Sequence, residues 1–149
     1  MRKYGYRGIL GMHPIHSEQT VDFEKNDVFE IPEGHLDYQE LFVRGSIMLT
    51  DFSSTFFDFC YLRKPVVYAQ FDREKFFHGQ VYDPGYFDYK RDGFGPVCED
   101  LPSTVDALIS IIENDAKLTP EYQRRINDFY AYDDQNNCKR VIEAIREDD

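Results

Sequence analysis

Ile47-Met48-Leu49-Thr50-Asp51-Phe52-Ser53-Ser54-Thr55 runs directly into Phe56-Phe57-Asp58-Phe59. A short apolar run ends in Thr-Asp, and a hydroxyl cluster then opens a segment with helical spacing. The order is strand, tight turn, helix start. The first amides of a helix have no intrahelical acceptor and carry partial positive charge, so such a junction suits an anion. Ser53, Ser54 and Thr55 add side-chain donors at the same place, and a phosphate or diphosphate is the expected guest. A serine here serves equally well as a helix cap. The junction alone leaves both roles open.

Outward from this stretch the chain alternates strand-like and helix-like segments, the pattern of an α/β sheet. Gly8–Met12, Val28–Ile31, Ser46–Thr50, Pro65–Ala69 and Pro96–Cys98 read as strands of one mainly parallel sheet with helices on both faces. Asp37–Val43 reads as a short helix with Leu36, Leu41 and Phe42 on its buried side. Ser54–Leu62 reads as another, with Phe56, Phe57, Phe59 and Cys60 forming its apolar side. Ser103 is the expected cap of an amphipathic helix carrying Leu108, Ile109, Ile111 and Ile112. Thr119-Pro120 opens the next helix with proline at its first position, and a last helix runs over about 136–146. Gln70–Gly95 has no clear period and reads as a long loop packed by aromatics, a length that is uncommon unless functional.

Composition narrows the function classes. The chain has 149 residues, 42% hydrophobic and 16% aromatic, which is ample for the core of a single domain. The net charge of −11 argues against nucleic acid, whose binding depends on many Lys and Arg contacts to phosphate. A small anionic ligand remains open, because fields from distant acidic residues such as Glu143, Glu147, Asp148 and Asp149 are screened beyond about 8 Å at physiological salt. Cys60, Cys98 and Cys138 are odd in number and show no disulfide or metal spacing, which points to a reducing, cytoplasmic setting. No apolar run is long enough to span a bilayer. Neither G-x-G-x-x-G nor a Walker A pattern occurs, which disfavours NAD binding and P-loop ATPase activity.

Thr50-Asp51-Phe52-Ser53-Ser54, Phe57-Asp58-Phe59, Lys64-Pro65-Val66-Val67-Tyr68 and Asp72, taken together, resemble the CDP-glycerol glycerophosphotransferase family of teichoic-acid polymerases and primases. His13-Pro14 upstream fits the same pattern. So do Pro84-Gly85-Tyr86-Phe87, Gly95-Pro96-Val97 and the late Phe129…Asp133-Asp134…Lys139-Arg140-Val141 segment. The match runs from about Gly8 to Ile145, with one departure: Gln135 stands where family members commonly carry Gly. The resemblance implies a larger enzyme of two Rossmann-like halves, the GT-B arrangement. Residues 1–149 are then one nucleotide-donor-binding domain, the C-terminal half, whose partner is the N-terminal half of the same enzyme. It further implies a CDP-linked donor (CDP-glycerol or a related CDP-polyol), a polyol-phosphate or glycan polymer acceptor, no separate cofactor, and a peripheral place at the inner face of the cell membrane; no metal-ligand set is identifiable in the sequence.

The candidate site residues follow from position and from this resemblance. His13 lies past a strand end, held extended by Pro14, on the rim where α/β sheets gather ligands. An imidazole there can donate to a phosphate oxygen or protonate a leaving group, and His13 is the catalytic candidate. His13, Pro14, Ser53, Ser54, Thr55 and Asp58 form the expected donor-binding set, Asp58 through a donor hydroxyl as the resemblance implies. Asp51, whose charge repels a diphosphate, is expected to hold the turn by accepting from backbone amides. His16, His35 and His78 read as loop or surface residues, and Arg63 and Lys64 precede a strand at the opposite rim. Two alternatives stay open: a GT-B glycosyltransferase domain using another nucleotide sugar, and a non-catalytic binding module with an acidic docking surface.

Overall fold

The computed structural model describes residues 1–12, 19, 21–24, 26–32, 36–79 and 85–147. The chain falls into two compact units, Met1–Gly45 and Ser46–Asp149. The first begins with a 3-10 turn at Arg2–Tyr4 that ends on Gly5 in the left-handed region, φ 72°, where glycine carries no Cβ penalty. Strand β1 (Gly8–Ile9) pairs in parallel with β2 (Phe29–Glu30), Gly8 opposite Phe29. The Phe29 ring lies over Gly8 so closely that a Cβ built there would meet Cε2 at 2.9 Å. Helix α1 (Tyr38–Arg44) starts at Asp37, whose carboxylate accepts from the amides of Gln39 at 2.9 Å and Glu40 at 3.1 Å. Leu36, Leu41 and Phe42 are all half-buried, consistent with the spacing read from the sequence.

The second unit is built on a three-stranded parallel sheet in the order β3 (Met48–Thr50), β4 (Val66–Ala69), β5 (Val97–Cys98). Met48 faces Val66 and Thr50 faces Tyr68, while Tyr68 faces Val97 on the other edge. Central position explains the sequence of β4: Val66, Val67 and Tyr68 are completely buried, the continuous apolar run of a strand covered on both faces. All five strands expected from the sequence are present and every pairing is parallel. The expectation of one continuous sheet is corrected: among the described residues the strands pair as two sheets, one of two strands and one of three.

The helices of this unit are α2 (Phe56–Tyr61), α3 (Arg73–Gly79), α4 (Tyr89–Asp92), α5 (Leu101–Glu113), α6 (Pro120–Phe129) and α7 (Asn137–Glu147). α3 and α4 replace part of the expected long loop. Both are short, with too little periodicity to register, and α4 starts at Asp88, which accepts from the amides of Lys90 and Arg91 at 2.9 and 2.8 Å. The cap of α5 is Asp100, not Ser103: its carboxylate accepts from the Ser103 amide at 2.7 Å. The helix therefore begins three residues earlier, with Pro102 in its first turn, where the missing amide has no cost. Thr119 caps α6 with Pro120 in the first turn, as the sequence indicates.

The core is aromatic. Phe56, on the inner side of α2, is 1% exposed and meets Tyr68 edge-on at 5.0 Å, Phe87 at 5.6 Å and Phe94 at 5.9 Å. Its neighbour Phe57 is only half-buried, stacked on Phe129 at 5.2 Å. The six-residue α2 turns Phe56, Phe59 and Cys60 fully inward and leaves Phe57 at the margin. Gly95 is required by close packing, since a Cβ there would run into the Val66 carbonyl oxygen. Cys60 is completely buried and burial pushes its thiol up to about 12, so it is a small core residue. Cys98 is buried and Cys138 exposed. One thiol is therefore expected to react with a chromogenic disulfide reagent in the native protein, and all three after denaturation. Two fast native thiols would contradict the packing.

Electrostatics near α4 give a pH prediction. The Arg91 guanidinium, followed by the Asp88 amide, holds the Asp92 carboxyl down at about 2, and the Arg91 and Lys90 amides lower Asp88. Groups depressed on folding contribute stability above their unfolded pKa, roughly 3.9, and lose it as pH falls through the folded value. The melting temperature is expected to be flat from about pH 7 to 5 and to drop from about pH 4 to 2. Asp92→Asn should flatten part of that drop in pH-dependent melts.

Candidate donor-binding site

The turn Asp51–Thr55 leaves the C-terminal end of β3, the end at which open parallel sheets collect ligands. Its first residues are pinned by side chains from other elements. Gln70, directly after β4, donates its Nε2 to the Asp51 carbonyl at 3.4 Å. The Tyr89 hydroxyl, from α4, donates to the Phe52 carbonyl at 3.2 Å. The Phe52 ring stacks on Phe76 of α3 at 3.9 Å and 7°. Burial, and next the nearby Asp51 charge, push Tyr89 up. Ser53 Oγ lies 2.9 Å from Thr55 Oγ1 and accepts from the Thr55 amide at 3.4 Å, a local turn that Ser favours. Ser54 is exposed, and Thr55 stands at the cap position of α2 without a side-chain cap bond.

The structure thus brings Ser53, Ser54 and Thr55 together as one hydroxyl-bearing turn. Asp51 is corrected: its exposed carboxylate makes no hydrogen bond among the described residues, and the turn is held through its backbone carbonyl instead. A solvated carboxylate gains little from amides it does not reach, whereas the buried amide of Gln70 is fixed by packing. Asp58 lies one helical turn beyond Ser54, exposed, on the wall of an open cavity of about 450 Å³ shared with Phe57, Tyr61, Tyr130 and Tyr132. Its carboxylate enters no hydrogen bond or ion pair among the described residues. His13 and Pro14 lie outside the described residues, as do His16 and His35, while His78 is exposed in the last turn of α3.

Gln70 and Tyr89 were not singled out from the sequence. The available signal was the polar Gln70 closing the apolar run Val66-Val67-Tyr68-Ala69. Arg63 is occupied elsewhere, 3.0 Å from Asp133. The late motif is a structural lock. Arg140 holds Asp134 through two hydrogen bonds at 2.9 and 2.6 Å and covers the Tyr132 ring at 3.7 Å. Gln135 is not among the residues with positive φ, so this turn needs none of glycine's freedom. Among the described residues no three His, Cys, Asp or Glu side chains gather as a metal site.

The CDP-Glycerol:Poly(glycerophosphate) glycerophosphotransferase family model matches residues 2–147. The chain belongs to this family. It is 42% identical over 146 residues to the minor teichoic acid biosynthesis protein GgaB of Bacillus subtilis, covering 98% of this chain and 16% of that protein. It is 26% identical over 122 residues to a teichoic acid glycerol-phosphate transferase of Staphylococcus aureus, covering 82% of this chain and 31% of the other. The wall teichoic acid polymerase TagF, in a variant soaked with CDPG, superposes with a TM-score of 0.67 at 26% identity, over 96% of this chain and 35% of that one. The chain therefore spans about a third or less of these relatives. Among its described residues no helix is long and apolar enough to cross a membrane.

Proposed function

We propose that this glycerophosphotransferase-family chain is the donor-binding, C-terminal part of a GT-B-type enzyme that transfers a polyol phosphate from a CDP-linked donor, CDP-glycerol in the first instance, to a growing cell-wall polymer. The observation that carries the reading is the pinned turn Ser53-Ser54-Thr55 at the C-terminal end of β3 in a chain of this family. In the reaction an acceptor hydroxyl oxygen bonds to the donor's β-phosphorus. The bond to the bridging oxygen breaks, CMP leaves with the electron pair, and the hydroxyl proton goes to a base. Such transfers are promoted chiefly by positioning and by stabilising charge on the non-bridging oxygens. Ser54 and whichever of Ser53 and Thr55 does not donate in their mutual hydrogen bond supply hydroxyl donors for those oxygens, and a six-residue α2 adds only a small dipole. His13, beside Pro14, protonates or hydrogen-bonds the leaving phosphate, and Asp58 takes a donor hydroxyl. The polymer and the remaining part of the enzyme complete the site, at the cytoplasmic side of the membrane.

Nucleotide choice tests this reading. CDP-glycerol is expected to raise the melting temperature of the full-length enzyme, and to perturb the amides of Ser53, Ser54 and Thr55 more than those of α5. UDP- and GDP-sugars are expected to do neither. A response to a UDP- or GDP-sugar with none to CDP-glycerol would replace the polyol-phosphate donor by a nucleotide sugar.

A further inference from the structure

Two side chains from different elements hold successive carbonyls of the same turn. Gln70 takes the carbonyl of Asp51 and Tyr89 that of Phe52. All peptide bonds of the described chain are trans, and in a planar trans peptide the C=O and the following N–H point in opposite directions. Fixing the Phe52 carbonyl against Tyr89 therefore directs the Ser53 amide away from Tyr89, and the hold on Asp51 fixes the plane before it. Ser53 Oγ is already committed to Thr55, so the orientation of this amide is set from both sides.

Gln70 is an unusual residue for the place. It is 1% exposed at the end of the central strand, and its Oε1 meets no donor among the described residues. The amide cannot be reversed to satisfy that oxygen, because its NH₂ must face the Asp51 carbonyl. A buried acceptor without a donor lowers stability, and an apolar side chain of equal size would avoid the penalty. Departures of this kind are expected where function overrides packing.

We propose that Gln70 and Tyr89 are positioning residues that hold the Ser53–Thr55 turn in its phosphate-binding conformation. The inference rests on the donor reading above. Neither residue is required to touch the substrate, and both act through backbone carbonyls. Their effect is therefore on the phosphate portion of any donor, whatever polyol or base it carries. Gln70→Met keeps the volume and removes the amide, and Tyr89→Phe keeps the ring and removes the hydroxyl.

The test uses the full-length enzyme with CDP-glycerol and, as a minimal probe, inorganic pyrophosphate. Each variant is expected to raise the donor KM and weaken pyrophosphate binding by a similar factor, roughly 10- to 100-fold, the scale of a misplacement of about 1 Å. The acceptor KM should stay unchanged. The melting temperature of Gln70→Met should equal or exceed that of the parent, and Tyr89→Phe should remain within a few degrees. The double variant should lose less than the product of the two single losses, because both act on one turn. If both variants bind pyrophosphate and CDP-glycerol as the parent does, the positioning role is overturned and the donor reading survives. A loss that tracks a lower melting temperature in both variants overturns it as well. If the parent prefers another nucleotide donor while both variants still lose pyrophosphate, the positioning role stands and the CDP-polyol reading falls. A parent that binds no phosphate ligand overturns both.

Discussion

Phe56→Ala is expected to lower the stability of this chain by about 3–5 kcal/mol, the cost of emptying a fully buried aromatic position. Phe56 is 1% exposed and sits among Tyr68, Phe87, Tyr89 and Phe94, so no neighbour can collapse into the space without leaving its own contacts. Native domains hold only about 5–15 kcal/mol in total, and this one change removes much of it. Phe57→Ala should cost distinctly less, because Phe57 is half-buried and faces Phe129, itself 39% exposed. Urea unfolding of the two variants, followed by circular dichroism, checks the order. Equal losses, or a larger one at Phe57, would place the centre of the core on the wrong side of α2.

The same pair shows how far the sequence carried. The spacing predicts a helix over Ser54–Leu62 with an apolar side, but Phe56, Phe57, Phe59 and Cys60 within five positions do not fix which of them point inward. That choice depends on Tyr68 and Phe94, which arrive from β4 and the approach to β5. Strand positions are legible because short apolar stretches end at Thr-Asp, Pro and Gly. Their division into two sheets is not, since it depends on hydrogen bonds between distant segments. Asp100 illustrates a third case. Asp100 and Ser103 are both good caps, and only the backbone decides which one stands outside the helix. At the site, the hydroxyl turn was visible as a motif, whereas its support was not. Gln70 and Tyr89 are distant from the turn in sequence and reach it only through parallel pairing of β3 with β4 and the placement of α4.

Ser53→Ala combined with Ser54→Ala is expected to lower polymer formation by the full-length enzyme by about 10²–10³-fold or more, the scale seen when one preorganised donor to a developing oxyanion is lost. The melting temperature should change little. Ser54 is exposed and, among the described residues, Ser53 bonds only within its own turn, so the structural loss is that of a cap or loop contact, about 0.5–2 kcal/mol. Transition-state binding and folding thus separate at these two positions, as they do in the opposite sense at Phe56. The measurement is incorporation from radiolabelled CDP-glycerol alongside thermal melts of the same preparations. A fall in kcat with donor KM nearly unchanged would assign the hydroxyls to charge developing on the transferred phosphate. A rise in KM alone would assign them to ground-state binding of the diphosphate. Full activity in the double variant would reduce the serines to a helix start, and the donor would then have to be held by groups outside this turn.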